Sequence, residues 1–572
     1  MNYEKVSEFD RPNGSLAWAS WLTGLAIAAF WFVILLRTLN DPGLTVDESI
    51  YVPDGARMVR VLQQVPTQGL TPAAIDEIWR HAHEHPPLAR LLLGLSHHCL
   101  SPAAKVENQV DPRLGRPVAA VGFALLVLLV TRYAWQLAGP LAGITAGMSL
   151  PLFPRLFGHA HLASLEILTS FFFFAGFMSA GWAFSLDGSS VGWWKRNGRL
   201  FIAAGFLGLA LLVKLSNVLL LPAVGIALVL RQGSPGLWRF TFWCILGLGV
   251  FLLGWPWLWP VDLPGYPAGW FGSVERLREY LSTAFDRVTI YVWYFGSQYP
   301  KQDARVPWHY AWLYFFTTVP MGLQVVAVFI GLPRGWMLAR HRFRALLLLI
   351  TIGVTLGFFT LPVERYDGER LFLFVFPLWS VVVGIGVSGL FGFLARWVPS
   401  TFNYVLWAIF LVSQAIGIFR LHPCELSYYN ALVGGLPGAT NHGLEATYWG
   451  DSVTNGLLAE LASRGKPGDQ AALLPTMHAA QARFLNNEQI RNKNMTILPG
   501  DQLLKSDARW VIVYRRDGYI NDPLPKKVMR DGKVVAEVAR DGTWLARLYE
   551  LPMDWDRTLN QNTSSPSEAM EK

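Results

Sequence analysis

The run AWASWLTGLAIAAFWFVILL, residues 17–36, closed by Arg37, decides the architecture. Twenty uncharged, predominantly apolar residues form a helix about as long as the hydrocarbon core of a bilayer is thick. The polar residues 1–15 that precede it read as a retained cytoplasmic N-terminus ahead of a first span, not as a cleaved signal peptide. Further apolar runs lie near 117–137, 139–157, 163–185, 200–213, 216–230, 240–259, 309–332, 345–361, 371–395 and 402–420, so eleven spans are expected. A thirteen-residue run at 88–100 is short for a span and reads as a juxtamembrane or re-entrant helix opened by Pro86-Pro87. The expected fold class is mainly α, a polytopic membrane helical bundle with a soluble C-terminal α/β domain.

Composition agrees. Of 572 residues, 52% are hydrophobic and only 15% are charged, too few to cover a soluble protein of this size. Disorder, coiled coil and small disulfide scaffolds are excluded on the same numbers. The charges are uneven: residues 421–572 carry 17 Lys+Arg and 18 Asp+Glu, whereas the first 420 residues carry 31 and 22. The net charge of +8 therefore belongs to the apolar part, where short cytoplasmic loops collect Lys and Arg, and nucleic acid is not the partner it implies. Three cysteines without a C-x-x-C say nothing about compartment.

Loop charge sets the expected orientation. Lys195, Arg196, Arg199, Arg231, Arg239, Arg334, Arg340, Arg342 and Arg344 fall in short loops without acids, which the positive-inside rule places in the cytoplasm. The loops 38–116, 260–308 and 362–370 then face the other side, together with the domain at 421–552 and a polar tail at 553–572, expected to be disordered. Parity depends on the runs 200–213 and 216–230 crossing separately, because Lys214 divides them. In the C-terminal domain, 452–464 reads as helix, 510–514 and 533–538 as strands, and Asp517-Gly518, Asp531-Gly532 and Asp541-Gly542 as turns.

Ionisable groups within or at the ends of spans are costly and are functional candidates by default. Asp47-Glu48 lies ten residues beyond the first span, where adjacent acids equally suit a solvated loop or a helix N-cap. His81, His83, Glu84 and His85 alternate, which suits an extended segment more than a metal helix. His159 and Glu166 lie in a segment joining two spans, with Glu166 at the head of a Phe-rich run. Lys214 is the only charge between Leu200 and Leu230 and either snorkels or faces an anionic headgroup. Glu364-Arg365-Tyr366-Asp367-Gly368-Glu369-Arg370 packs five charges into seven residues. Arg suits bidentate phosphate contact. Acids, bases and aromatic loops on one face suit a phosphate-bearing lipid and a hydroxyl nucleophile, and no Walker-type loop is present for ATP.

These residues resemble the bacterial phospholipid-carrier-dependent glycosyltransferases of the protein O-mannosyltransferase and aminoarabinose-transferase group, in the glycosyltransferase C superfamily. The resemblance rests on Asp47-Glu48, on His85-Pro86-Pro87-Leu88, on Pro154 with His159-Ala160 and the acid Glu166, and on the isolated Lys214. It rests further on YDGERLFLF at 366–374, on ELSYYN at 425–430, on Gly434-Gly435 and on Tyr448-Trp449-Gly450. It spans about 40–450. Two departures stand out: Glu166 where most relatives have Asp, and His85 where some have Lys. The resemblance implies a membrane glycosyltransferase of the bacterial inner membrane, moving a sugar from a polyprenyl phosphate to an acceptor hydroxyl on the extracytoplasmic face, with inversion. Asp47 would be the general base. Lys214, Arg370 and Arg365 would hold the leaving phosphate. Glu48, His85, His159, Glu166 and Tyr366 would complete the substrate site. No cofactor is implied, and a divalent metal stays open without a residue set that calls for one. The expected partners are the lipid-linked donor, a protein, lipid or glycan acceptor, and membrane lipids. The competing reading is a transporter or flippase of a lipid-linked saccharide without bond chemistry, although such proteins place charges near the midplane and often carry repeats, and neither is evident here.

Overall fold

The computed structural model describes residues 14–79, 84–101, 110–185, 193–232, 236–286, 290–299, 306–486 and 488–558. His81 and His83 lie outside the described residues. The expected first span is the helix Gly14–Thr38, and the helices Arg116–Ala138, Glu166–Phe184, Met321–Ala339, Val375–Leu394 and Ser400–Leu421 are likewise long and apolar enough to cross a membrane. Shorter apolar helices at Asn197–Val213, Leu215–Arg231, Leu237–Leu253 and Phe343–Phe358 complete the bundle.

Two expected spans are corrected. The run 309–332 breaks at Pro320 into a short helix, Tyr310–Thr317, and the long apolar helix Met321–Ala339. The run 139–157 forms a ten-residue helix, Pro140–Ser149, and then a separate short helix, Pro154–Ala160. Pro151 and Pro154 lack the N–H that would continue the ladder, and each disfavours helical backbone in the residue before it. The polar stretch after the first span is also more ordered than expected. It holds the helices Glu48–Gln68, Pro72–Trp79 and Pro87–Leu100, the last forming over the short run 88–100 with its proline in the first turn. Gly55 and Gly94 let two of these helices cross backbone to backbone. A Cβ on Gly55 would lie 2.0 Å from the carbonyl oxygen of Arg90, and one on Gly94 2.1 Å from Gly55 itself.

The two ends of the bundle are chemically distinct. At one end, Arg231 donates to the carbonyls of Arg340 (2.9 Å) and His341 (3.0 Å), Arg342 to that of Leu137 (2.8 Å), Arg344 to the Gln136 amide (3.0 Å) and Arg239 to the Ala183 carbonyl (2.9 Å). Cationic side chains thus answer the free carbonyls of the helix C-termini there. The opposite ends of the same two helices, Arg116–Ala138 and Glu166–Phe184, carry Arg116 and Glu166. Lys214 sits at the Glu166 end and Arg231 at the basic end, so the run Leu215–Arg231 traverses the bundle as an element separate from Asn197–Val213.

The C-terminal domain is a five-stranded mixed sheet. With the small hairpin of β1 (Val292–Tyr294) and β2 (Ser297–Tyr299) preceding it, its strands are β3 (Gln470–Leu474), β4 (Thr496–Pro499), β5 (Trp510–Tyr514), β6 (Lys533–Arg540) and β7 (Thr543–Glu550), in the order β4-β3-β5-β7-β6. β3 pairs parallel with β4 and β5, while β7 pairs antiparallel with β5 and β6. β5 is buried along its whole length, as a continuous apolar run at the centre of a sheet should be. Order extends beyond the expected boundary at 552: Trp555 is buried and its indole donates to Asp531 (3.1 Å).

Candidate active site

The loop after the first helix is shaped by Arg116. Its guanidinium grips both oxygens of Glu48 (2.6 and 3.0 Å) and donates to the carbonyls of Leu39 (2.9 Å), Pro42 (3.1 Å) and Gly43 (2.9 Å). Glu48 also accepts from Thr45 N and Oγ1 (both 2.9 Å) and from Ala163 N (3.0 Å). A buried ion pair is tolerable only when its remaining hydrogen-bonding capacity is met, as it is here. The same loop runs beside residues 449–451: Gly43 N donates to the Asp451 carbonyl (2.7 Å) and Val46 N to that of Trp449 (3.3 Å).

This scaffold fixes Asp47. It occupies the N-cap position of the helix Glu48–Gln68, yet its side chain makes no capping hydrogen bond. The carboxylate instead meets the Arg370 guanidinium. Arg370 also donates to Glu166 Oε1 through Nε (2.9 Å) and to Asp367 Oδ2 through Nη1 (3.0 Å). Lys214 donates to the same Glu166 oxygen (3.2 Å). Its backbone is extended (φ −158°, ψ 142°), the break that lets one apolar run end and the next begin. With only 12% of its side chain exposed, Lys214 faces this cluster and does not snorkel. Glu166 Oε2 is buried and, among the described residues, has no hydrogen-bond partner.

Aromatic rings wall the cluster. The Arg370 guanidinium stacks on Trp449 at 4.3 Å, with Tyr366 at 5.9 Å. Stacking of this kind leaves the in-plane N–H donors free for anions. His159 meets Trp449 edge-on (5.0 Å) and shares a hydrogen bond with the Tyr448 hydroxyl (3.1 Å). Burial pushes the His159 imidazole down to about 3, so it is neutral. His85 packs edge-on against Tyr51 (5.6 Å), and burial, with Lys214 and Arg90 nearby, holds it neutral too. Burial pushes the Asp47 carboxyl up to about 7 against the opposing pull of Arg370.

The structure therefore brings Asp47, Glu166, Lys214, Arg370, Tyr366, His159 and His85 to one rim. Two of the sequence candidates lie elsewhere. Glu48 is wholly committed to Arg116 and the loop backbone. Arg365 turns away and donates to the carbonyls of Val306 (2.8 Å), Phe359 (3.0 Å) and Pro307 (3.3 Å). Asp367, Trp449 and Tyr448 belong to the cluster although the sequence reading did not name them as site residues. The boxes at 366–374 and 448–450 were the available signal.

A scan of family models and a search of curated proteins returned no match. Among solved structures, ArnT from Cupriavidus metallidurans in the apo state superposes with a TM-score of 0.50 at 15% identity, over 94% of this chain and 98% of that one. The two chains share a fold. The same ArnT bound to undecaprenyl phosphate gives 0.49 at 14% identity, over 92% and 97% of the two chains. The archaeal oligosaccharyltransferase AglB from Archaeoglobus fulgidus, in complex with an inhibitory peptide and a dolichol-phosphate, gives 0.47 at 12% identity, over 96% and 75%.

Proposed function

We propose that this protein transfers a sugar from a polyprenyl-phosphate carrier to an acceptor hydroxyl, with inversion, on the extracytoplasmic side of a bacterial inner membrane. The observation that carries the proposal is the convergence of Asp47, Glu166, Lys214 and Arg370 at the non-basic end of an apolar bundle. A base and two cations are held there within one hydrogen-bonded cluster. A phosphodiester anion bound to Arg370 and Lys214 competes with Asp47 and Glu166 for the same donors and so frees the Asp47 carboxylate. Asp47 then takes the proton of the acceptor hydroxyl as its oxygen attacks the anomeric carbon, and the carrier phosphate departs with the bonding electrons. Because phosphate is already a good leaving group, stabilising its growing charge matters more than protonating it, and Lys214 and Arg370 supply that field. Glu166 orients both cations, and its unused oxygen is placed to receive a substrate hydroxyl. The fold shared with ArnT supports this reading. The test is incubation of the purified protein with radiolabelled polyprenyl-phosphate sugars and a membrane extract, followed by separation of labelled lipid from labelled protein. Label transferred to an acceptor supports the reading. Label that merely changes leaflet in reconstituted vesicles favours a transporter.

A further inference from the structure

One buried cation reaches this rim from the C-terminal domain and takes no part in the chemistry described so far. Arg516 lies just beyond β5, and its Nη2 donates to Asp367 Oδ1 at 2.7 Å, while Arg370 holds the other oxygen of the same carboxylate at 3.0 Å. Its Nη1 donates to the carbonyl of Tyr448, the neighbour of the ring stacked on Arg370. Both Arg516 and Asp367 are buried.

The turn that presents Asp367 is held from several sides. Asp367 and Gly368 have φ of 54° and 65°, the left-handed region that glycine adopts freely and that Asp tolerates better than most residues. Gly368 N donates to the Tyr310 hydroxyl (2.9 Å), and Glu369 pairs with Arg155 (2.8 Å). The segment carrying Arg516 is itself docked. Asp517 accepts from Ala446 N (2.8 Å), Gln298 donates to the Gly518 carbonyl (2.6 Å), and Tyr291 N donates to the Tyr519 hydroxyl (3.0 Å).

Charge gives this contact a consequence. Three carboxylates, Asp47, Glu166 and Asp367, meet three cations, Lys214, Arg370 and Arg516, in a desolvated cluster; a fourth carboxyl, Glu445, lies 3.9 Å from Arg516, but burial pushes it up to about 8 and keeps it largely protonated at neutral pH. Without Arg516 the cluster loses one positive charge, and the unneutralised Asp367 draws on Arg370, the cation that the proposed chemistry offers to phosphate. We propose that Arg516 is a positioning residue for the carrier phosphate: by occupying one oxygen of Asp367 it keeps Arg370 available, so that carrier binding depends on the docked C-terminal domain. The proposal rests on the phosphate role of Arg370 given above.

The test measures binding of undecaprenyl phosphate, in detergent, to the purified full-length chain. R370Q should abolish binding. R516Q should weaken it on the order of tenfold, and R516K should restore it. The double variant D367N/R516Q should return close to wild-type affinity, because the uncompensated carboxylate is gone; a residue that merely held the fold together would not be rescued in this way. An R516Q protein that binds as tightly as wild type, or a double variant no better than R516Q, overturns this proposal and leaves the phosphate role of Arg370 standing. Binding that survives R370Q, or a wild type that does not bind, overturns both. Should R516Q fail to fold, D367N alone decides: it should bind at least as tightly as wild type, and a tenfold loss refutes the proposal.

Discussion

Asp47 and Arg370, 323 residues apart in the chain, hydrogen-bond to each other at the rim of the bundle. The contact joins the proposed base to the proposed phosphate ligand, so each controls the other's availability. Burial has raised the Asp47 carboxyl from 3.8 to about 7. A base acts only when ionised, and its ionised fraction grows as pH climbs through that value. The kcat/KM for transfer should therefore rise with pH and level off above about 7. A profile flat from pH 5 to 8 would remove Asp47 from the rate law.

Lys214→Ala should act chiefly on donor use. The side chain contributes a cation and no part of the proton transfer, so KM for the lipid-linked sugar should rise about tenfold or more while KM for the acceptor stays near its wild-type value. Steady-state kinetics with each substrate varied in turn checks this, and an unchanged donor KM would contradict the phosphate role.

Glu48→Gln should damage the fold. Removing one partner of a buried pair leaves Arg116 uncompensated and costs about 3–5 kcal/mol. The expected outcome is a clear drop in melting temperature and in folded yield after detergent extraction. A variant as stable as wild type yet inactive would return Glu48 to the substrate site.

His422 bridges two elements, facing Glu425 (2.6 Å) and Asp41 (2.9 Å) in the loop after the first helix. These carboxylates raise its imidazole to about 9 despite burial. The stabilisation that the charged form supplies is fully present below the unfolded value near 6.5 and is lost as pH rises through 9. The melting temperature of wild type should exceed that of His422→Gln near pH 6, and the gap should close by about pH 10.

The sequence makes the bundle and part of the rim legible for one physical reason: charge is rare in apolar runs, so Lys214, Glu166 and Arg370 stand out at the ends of spans. The division of labour between Asp47 and Glu48 is not legible. It depends on which of two adjacent side chains faces Arg116, 68 residues away. The box at 448–450 marks Trp449, but nothing in it shows that this ring, among 25 tryptophans, stacks on a guanidinium. Arg516 is hidden in the same way within a tail rich in both charges. The broken run 139–157 is an error of a different kind, because its hydropathy suits a span while Pro151 and Pro154 disfavour a continuous helix.

The measurement that bears most directly on the whole account is single-turnover transfer from a radiolabelled polyprenyl-phosphate sugar by purified wild type and by Asp47→Asn, with donor binding measured alongside. Asp47→Asn should bind the donor with near-native affinity and transfer its sugar at least about a hundredfold more slowly. Transfer by that variant at the wild-type rate would contradict the account.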